Sequence, residues 1–495
     1  MGEKLNDWAI QIEDELKLML TNETAEMQQW DKQSIYKVPE CFTDLNKKAY
    51  KPQFVSFGPY HHEEPHLKPM EKHKHRALLH FLKRSQKPLV SYVAPLAKVA
   101  QRLKGSYESL DHIWEADTDR FLMLMILDGC FMLEIMRTST LQVHYYSEYD
   151  PIFSEHGKLH VVPYIRRDMM MLENQLPMLL LTTLVAVEKE EETEVIMIIS
   201  YVYLFPFIFC FLLRVQQDDG EFHEIVKKLI CNFCFPNPWF PYDSSIGKCL
   251  HLLDVYRSSL LRLLMKEEAR KSTMRSAPTH KAAGRGSSEV IWSSTGGNEV
   301  IRSSTEGNKV IRCAMELGDA RIRFKKSGSA SLDDISFTGG VLSLPPIVVD
   351  DTTESTFLNL TAFERFHHVF LGCEVTSYIF FMSKIIESAE DVNLLRTGGI
   401  IKNALGSDDD VVKLFNSLSK DLTPDPLTIL YGLHGKVNRY WKERRVRVYI
   451  MKNYFRNPWA MLSLIAAVFL FFFTLAQTAY TILSYHDPAK NLNSP

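Results

Sequence analysis

Twenty-four consecutive residues near the C-terminus, Ala460 to Leu483 (AMLSLIAAVFLFFFTLAQTAYTIL), carry no charge, and no other segment limits the architecture of this chain so strongly. As a helix rising 1.5 Å per residue the segment is roughly 36 Å long, enough to cross a hydrocarbon core of about 30 Å with some tilt. Its flanks are unequal. Arg439, Lys442, Arg444, Arg445, Arg447, Lys452 and Arg456 precede it against Glu443 alone, while the tail beyond it carries only Asp487, Lys490 and the terminal carboxylate. Cations collect on the cytoplasmic side of a span, so the pattern predicts a single-pass membrane helix over 460–483 with the bulk of the chain in the cytoplasm. Tyr440, Trp441, Tyr449, Tyr454, Phe455 and Trp459 would anchor the interface. The cations, Arg444, Arg445, Arg447, Lys452 and Arg456 foremost at the membrane flank, are expected to attract anionic lipid by about 1 kcal/mol each when close to the surface.

A second uncharged stretch, Val195 to Leu213 (VIMIISYVYLFPFIFCFLL), is also long enough to span. Pro206 at its middle fits a kinked core helix equally well. If this stretch did cross, the chain would be a two-span receptor with its N-terminal part in a lumen. The sequon Asn22-Glu23-Thr24 would then become a glycosylation acceptor.

At 46% hydrophobic and 24% charged residues over 495 positions, the chain can bury a large core. Its net charge of −3 gives no whole-chain signal for nucleic acid, and none is expected as a partner. Eight dispersed cysteines suit a reducing compartment, and no basic region followed by an apolar run opens the N-terminus.

Helical spacing dominates the first half: Lys72 to Arg84, Asp119 to Met136, and Asp168 to Val187 with Asp168 as an N-cap. The basic stripe of the first reads as its solvated face. Ser, Gly, Thr and basic residues then take over, and a ten-residue repeat places Val290-Ile291-Trp292, Val300-Ile301-Arg302 and Val310-Ile311-Arg312 in phase. Ten residues is too short for a solenoid unit, so this is a flexible insert. Beyond it, ARIRFKK and ISFTGGVLSLPPIVVD read as strands, with Gly339-Gly340 a hairpin turn and Pro345-Pro346 ending the pairing. Asp351 or Thr352 should cap a helix over 357–370, another should lie near 377–388, and smaller ones follow through Leu418. The fold class is mainly α: a large helical domain, a small β-hairpin element and one C-terminal transmembrane helix.

Three groups invite a chemical reading. In GPYHHEEPH, His62-Glu63-x-x-His66 spells the zinc-hydrolase motif, yet that chemistry needs both histidines on one helical face and Pro65 falls between them. A rigid turn is expected, in which Tyr60, His61 and His62 bond into a neighbouring helix or meet a partner. Cys231-x-x-Cys234 with Cys249 and His251 supplies four zinc-ligand types in order, but the surrounding apolar run favours cysteine as a small hydrophobe. Finally, Asp128, Glu134, Glu173, Asn174 and Gln175 sit in very apolar stretches, where polar groups persist only when paired. Such carboxylates suit a hydrolase site. A structural network with Arg166, Arg167 or the His-rich helix as partners is favoured, because no nucleophile, phosphate loop or metal set accompanies them. Asn174, near Pro177, is placed to bond carbonyls freed by a kink. No catalytic residue, cofactor or metal is assigned.

The segments YKVPECF, AYKPQFVSFGPYHH, LKPMEKHKHRALLHFL, ILDGCFMLE, RDMMMLENQLPMLLL, DISFTGGVLSLPPIVVDD, NLTAFE, VTSYIFFM, DVNLLRTGGIIKNALGS and YFRNPWAMLSLIAA occur in this order. In that order the chain resembles the plant family Domain of Unknown Function 247, also called UPF-type membrane proteins. The resemblance runs from about Ile35 to Leu483. It implies a plant protein with a mostly helical cytosol-facing domain, one C-terminal membrane helix and no established enzymatic activity. Some grass members sit at self-incompatibility loci, which suggests recognition. The expected layout is a helical extension at 1–34, the two parts of the family domain at 35–265 and 314–458, the insert at 266–313, the span at 460–483 and a short tail at 484–495. The expected role is non-enzymatic: a tail-anchored component of signalling or recognition that meets membrane lipid and a protein partner. A hydrolase using a His/carboxylate site is the alternative.

Overall fold

The computed structural model describes residues 33–43, 46–140, 146–189, 219–235, 244, 246–261, 312–367, 372–420, 422, 428–450 and 458–486. The apolar stretch 195–213, the N-terminal extension with its sequon, and the decapeptide repeat as far as Ile311 lie outside these residues.

The described chain is mostly helical. Two short helices, α1 (Glu40–Thr43) and α2 (Lys47–Tyr50), lead into a segment of bends and turns and then α3 (Glu71–Ser85), α4 (Val90–Lys104), α5 (His112–Ala116) and α6 (Thr118–Thr140). Helix α6 is apolar almost all round, as a helix must be when neighbours cover every face. It packs against α3 and α4, and against α10 (Asp219–Cys234). Gly129 is required on it, because an added Cβ would stand 2.6 Å from Leu184 Cδ1. Between them come α7 (Glu155–His160), α8 (Val162–Met169), a 3-10 turn (Leu172–Asn174) and α9 (178–189). Asp168 therefore ends one helix and does not cap the next; Met170 to Pro177 interrupts the expected continuous helix.

After α11 (Leu252–Leu260) and α12 (Ala314–Asp319), three strands form a small sheet in the order β1-β3-β2. Here β1 is Arg323–Lys326, β2 Ser336–Thr338 and β3 Val341–Leu344. The β2–β3 hairpin turns on Gly339 and Gly340, whose φ values of +58° and +79° suit the two-residue turn that matches strand twist. Strand β1 joins β3 in parallel, and β4 (Ile347–Val349), following the two prolines, pairs in parallel with β5 (Ile401–Asn403).

Helices α13 (Thr353–Phe366), α14 (Glu374–Ile385), α15 (Ala389–Thr397) and α16 (Asp408–Leu418) complete the C-terminal part. Helix α13 starts four residues before the expected Phe357, because Asp350 Oδ1 accepts from Thr352 N (3.0 Å) and from the Thr353 hydroxyl (3.0 Å). Ser388, expected inside a helix, caps α15 with a reciprocal Asp391 capping box. One continuous hydrophobic core, from Ile35 to Trp441, runs through both halves. The long helix α17 (Ile429–Ile450) packs against α14 and β2, and α18 (Pro458–His486) follows it. Over Leu462–Leu483, α18 is long and apolar enough to cross a membrane, and none of that window is buried by protein.

Candidate functional site

The segment Gln53 to Gly58 belongs to no helix or sheet, so its peptide groups need partners of another kind. Side chains supply them. Asp168 Oδ2 accepts from the amides of Gln53 (3.0 Å), Phe54 (2.6 Å) and Val55 (3.0 Å). Asn174 Oδ1 accepts from Phe57 N (2.6 Å), while its Nδ2 donates to Val55 O (3.0 Å) and Asp168 O (2.9 Å). Asp128 Oδ2 accepts from Gly58 N (2.8 Å). Gln175 faces the other way: its Nε2 donates to Met169 O and Met171 O (both 2.7 Å), and its Oε1 accepts from Leu253 N (3.0 Å). The last turn of α8 and the break that follows it thus supply, through Asp168 and Asn174, the partners that this irregular segment lacks. The motifs AYKPQFVSFGPYHH, ILDGCFMLE and RDMMMLENQLPMLLL are physically one another's partners.

Beyond Gly58 the chain turns. Gly58 has φ +74°, and a Cβ there would lie 2.8 Å from Tyr107 Oη, so glycine is required twice over. Tyr60 donates to Ile35 O (3.2 Å) and meets the Tyr107 ring edge-on. His61 is almost fully buried between two carboxylates, Nδ1 2.6 Å from Glu64 Oε1 and Nε2 2.9 Å from Glu173 Oε2. Burial works against its charged form, but the hydrogen bonds to Glu173 and Glu64 outweigh this and raise its pKa above 6.5. The second oxygen of Glu173 accepts from Val38 N (2.6 Å). His62 packs edge-on against Trp114. Residues 62–66 form turns, with no helix through both histidines of the zinc-hydrolase spelling. An open groove of about 280 Å³ lies beside this loop, lined by Pro59, Tyr60, Glu63, Asp111, Ile113 and Trp114 among others.

The charged groups behind the loop are matched. Lys74, fully buried, holds Asp128 Oδ1 at 2.7 Å, Glu71 Oε1 at 2.7 Å and Ser56 Oγ at 3.3 Å. Burial raises the Asp128 pKa, and Lys74 opposes it. Arg84 bonds Glu134 and, at 2.7 Å, Glu188, which Arg137 also grips; Tyr146 donates to Glu134 at 2.8 Å. The basic stripe of α3 is therefore not simply its solvated face: Lys74 and Arg84 turn inward to meet α6 carboxylates. Of the arginines expected as partners, Arg167 meets Asp168 (3.1 Å) and Arg166 lies over the Phe233 ring.

A third cluster was invisible in the sequence. Arg257 on α11 joins Glu364 (2.8 Å) and Glu374 (2.6 Å), while Glu364 also accepts from Val375 N (2.9 Å) and Thr376 N (2.8 Å). Asn359, from the same NLTAFE segment, ties the halves together, with Oδ1 accepting from Leu172 N (2.9 Å) and Nδ2 donating to Ala49 O (2.8 Å).

Both ring nitrogens of His251 are engaged by backbone groups. Its Nε2 donates to Ser34 O (3.0 Å) and its Nδ1 accepts from Asp254 N (3.3 Å). Burial, with His367 nearby, lowers it to about 3, so it is the neutral ring these two bonds need. Cys231 pairs with Ser259 Oγ (3.3 Å), Cys249 donates to Gly247 O (3.6 Å), and burial raises the thiols of Cys234 and Cys249. Among the described residues no His, Cys, Asp and Glu group suited to a metal is assembled.

Both nitrogens of His61 face carboxylates, so the ring ties the loop to Glu64 within it and to Glu173 in the break after α8. On α17, Arg444 lies 5.2 Å from the Tyr440 ring centre. Arg445 and Arg447 occupy α17 positions, and Lys452 and Arg456 lie outside the described residues.

Comparison with known sequences matches residues 35–473 to a family described as plant protein of unknown function. A UPF0481 protein of Arabidopsis thaliana is 29% identical over 464 residues, covering 92% of this chain and 87% of the relative. A second UPF0481 protein of the same plant is 21% identical over 500 residues, 88% of each chain. No solved structure matches.

Proposed function

From the premise that the chain belongs to the plant family Domain of Unknown Function 247, we propose that it is a non-enzymatic, tail-anchored membrane protein whose helical domain faces the cytoplasm and binds a protein partner. The observation that carries this reading is α18: a soluble chain does not leave 22 uncharged, predominantly apolar helical residues uncovered, and Leu462–Leu483 has no protein against it. The cations Arg444, Arg445, Arg447, Lys452 and Arg456 on its N-terminal side set the orientation. Polar groups that a hydrolase would need free are consumed in fastening the fold. Tethering confines the search for a partner to the membrane plane and raises its effective concentration. The partner surface in this reading is the groove beside Tyr60 and His62, whose rim carries the half-exposed Ile113.

Protease protection of sealed microsomes bearing the full chain, tagged at both termini, tests it. Loss of the N-terminal tag with survival of the C-terminal tag is expected. A protected N-terminal tag, with Asn22 glycosylated, would overturn it in favour of a two-span receptor.

A further inference from the structure

Helix α17 has a sharply divided surface. Leu433, Val437 and Trp441 are buried in the core, and Trp441 Nε1 donates to Glu316 O (3.1 Å) while Arg312 covers its ring. Tyr440 meets Phe337 of β2 and closes over Gly340. On the opposite side Lys436, Arg439 and Lys442 are all exposed and recur every third residue, which places them within one face about 120° wide, with Glu443 the one acid among them. In a chain of net charge −3 this is a local cationic face, and it is fixed to the domain through the buried side of the same helix. The helix ends at Ile450, and α18 begins at Pro458. The seven residues between reach at most about 25 Å even fully extended.

We propose that the Lys436–Arg439–Lys442 face binds the anionic headgroups of the leaflet into which α18 inserts, so that the domain lies against the membrane in a fixed orientation. The proposal rests on the anchored reading above and deepens it: the anchor supplies proximity, and α17 supplies orientation. A lipid surface is the occupant because the face is tethered to one. Several fixed cations on a rigid helix suit a sheet of headgroups better than a single small anion, which needs a concave site. Charge on a strand edge has a different use. Arg323 and Lys325 share the exposed face of β1, in register with Val341 and Ser343, opposite the Phe324–Leu342–Phe337 face to which Tyr440 packs. Cations there blunt an edge against pairing, and they serve as an internal control.

The experiment reconstitutes the full chain into vesicles of phosphatidylcholine alone or with about one third phosphatidylserine, and acetylates lysines briefly before mass spectrometry. Acetylation of Lys436 and Lys442 should fall about fivefold in the anionic vesicles, the ratio equivalent to the roughly 1 kcal/mol that one cation gains at such a surface. Lys325 should label equally in both, and about 0.5 M salt should abolish the protection. Equal labelling of Lys436 and Lys442 in both vesicle types, with the chain resistant to alkaline extraction, would overturn this proposal alone. A chain that alkali extracts would sink the anchored reading and this proposal with it.

Discussion

Removing the Asp128 carboxylate should cost far more than an ordinary buried substitution. Asp128 and Lys74 are both fully buried, 2.7 Å apart, and the second Asp128 oxygen is the acceptor for the Gly58 amide. Asp128→Ala leaves the Lys74 ammonium with Ser56 and the partly exposed Glu71, and strips Gly58 N of its partner. The orphaned amide accounts for about 1–3 kcal/mol, and breaking a buried pair costs about 3–5 kcal/mol in all. Lys74→Met should be comparably harmful at neutral pH. It should be less so in acid, because burial already raises the Asp128 pKa and a protonated carboxyl needs no cation. In Asp128→Leu/Lys74→Met the charge problem disappears, and the cost should fall at least about 2 kcal/mol short of the summed single costs. Urea unfolding of the full chain in micelles, followed by tryptophan fluorescence, gives all three values. Single-variant losses below about 1 kcal/mol that simply add would refute the reasoning, since the pair would then be solvated.

Two further perturbations probe the loop itself. Because His61 has a raised pKa in the folded chain, its contribution is fully present below about pH 6.5 and disappears as pH rises through the folded value. Wild-type stability should therefore decline on the alkaline side, while His61→Gln shows a flatter profile there; parallel pH profiles in urea unfolding would contradict the bracketed imidazolium. Gly58→Ala should destabilise by about 2–4 kcal/mol, combining the left-handed backbone penalty with overpacking against Tyr107. Adding Tyr107→Phe should recover only part of this, since it removes the nearest atom but leaves φ at +74° and deletes the bond to Gln175 O. Full recovery in a thermal melt would show that the backbone is not strained.

Local signals were legible where chemistry is local. The helix expected over 72–84 is α3, and the one expected over 119–136 is α6 with a turn added at its end. The Gly339-Gly340 hairpin follows from turn geometry alone. What escaped depends on distant partners. A basic stripe at helical spacing looks solvated until Glu134, fifty residues on, is folded against Arg84. Asp168 resembles a cap because it precedes an apolar run, and only the three amides from Gln53 to Val55 reveal its use. Parallel pairing of β1 with β3 and of β4 with β5 has no short-range signature, unlike a hairpin. The Arg257–Glu364–Glu374 cluster joins three helices and no spacing announces it. At the loop, GPYHH reads correctly as a turn, but that His61 would lie between Glu64 and Glu173 requires knowing that α8 breaks at Met170.

Alkaline carbonate fractionation of the full chain beside a chain ending at Asn457 addresses the anchor most directly. Helix α18 contributes nothing to the described core, so its removal should leave a folded domain. The full chain should remain in the membrane pellet and the shortened one should move to the supernatant with its unfolding midpoint unchanged. Release of the full chain by alkali, or retention of the shortened chain in the pellet, would contradict anchoring through α18.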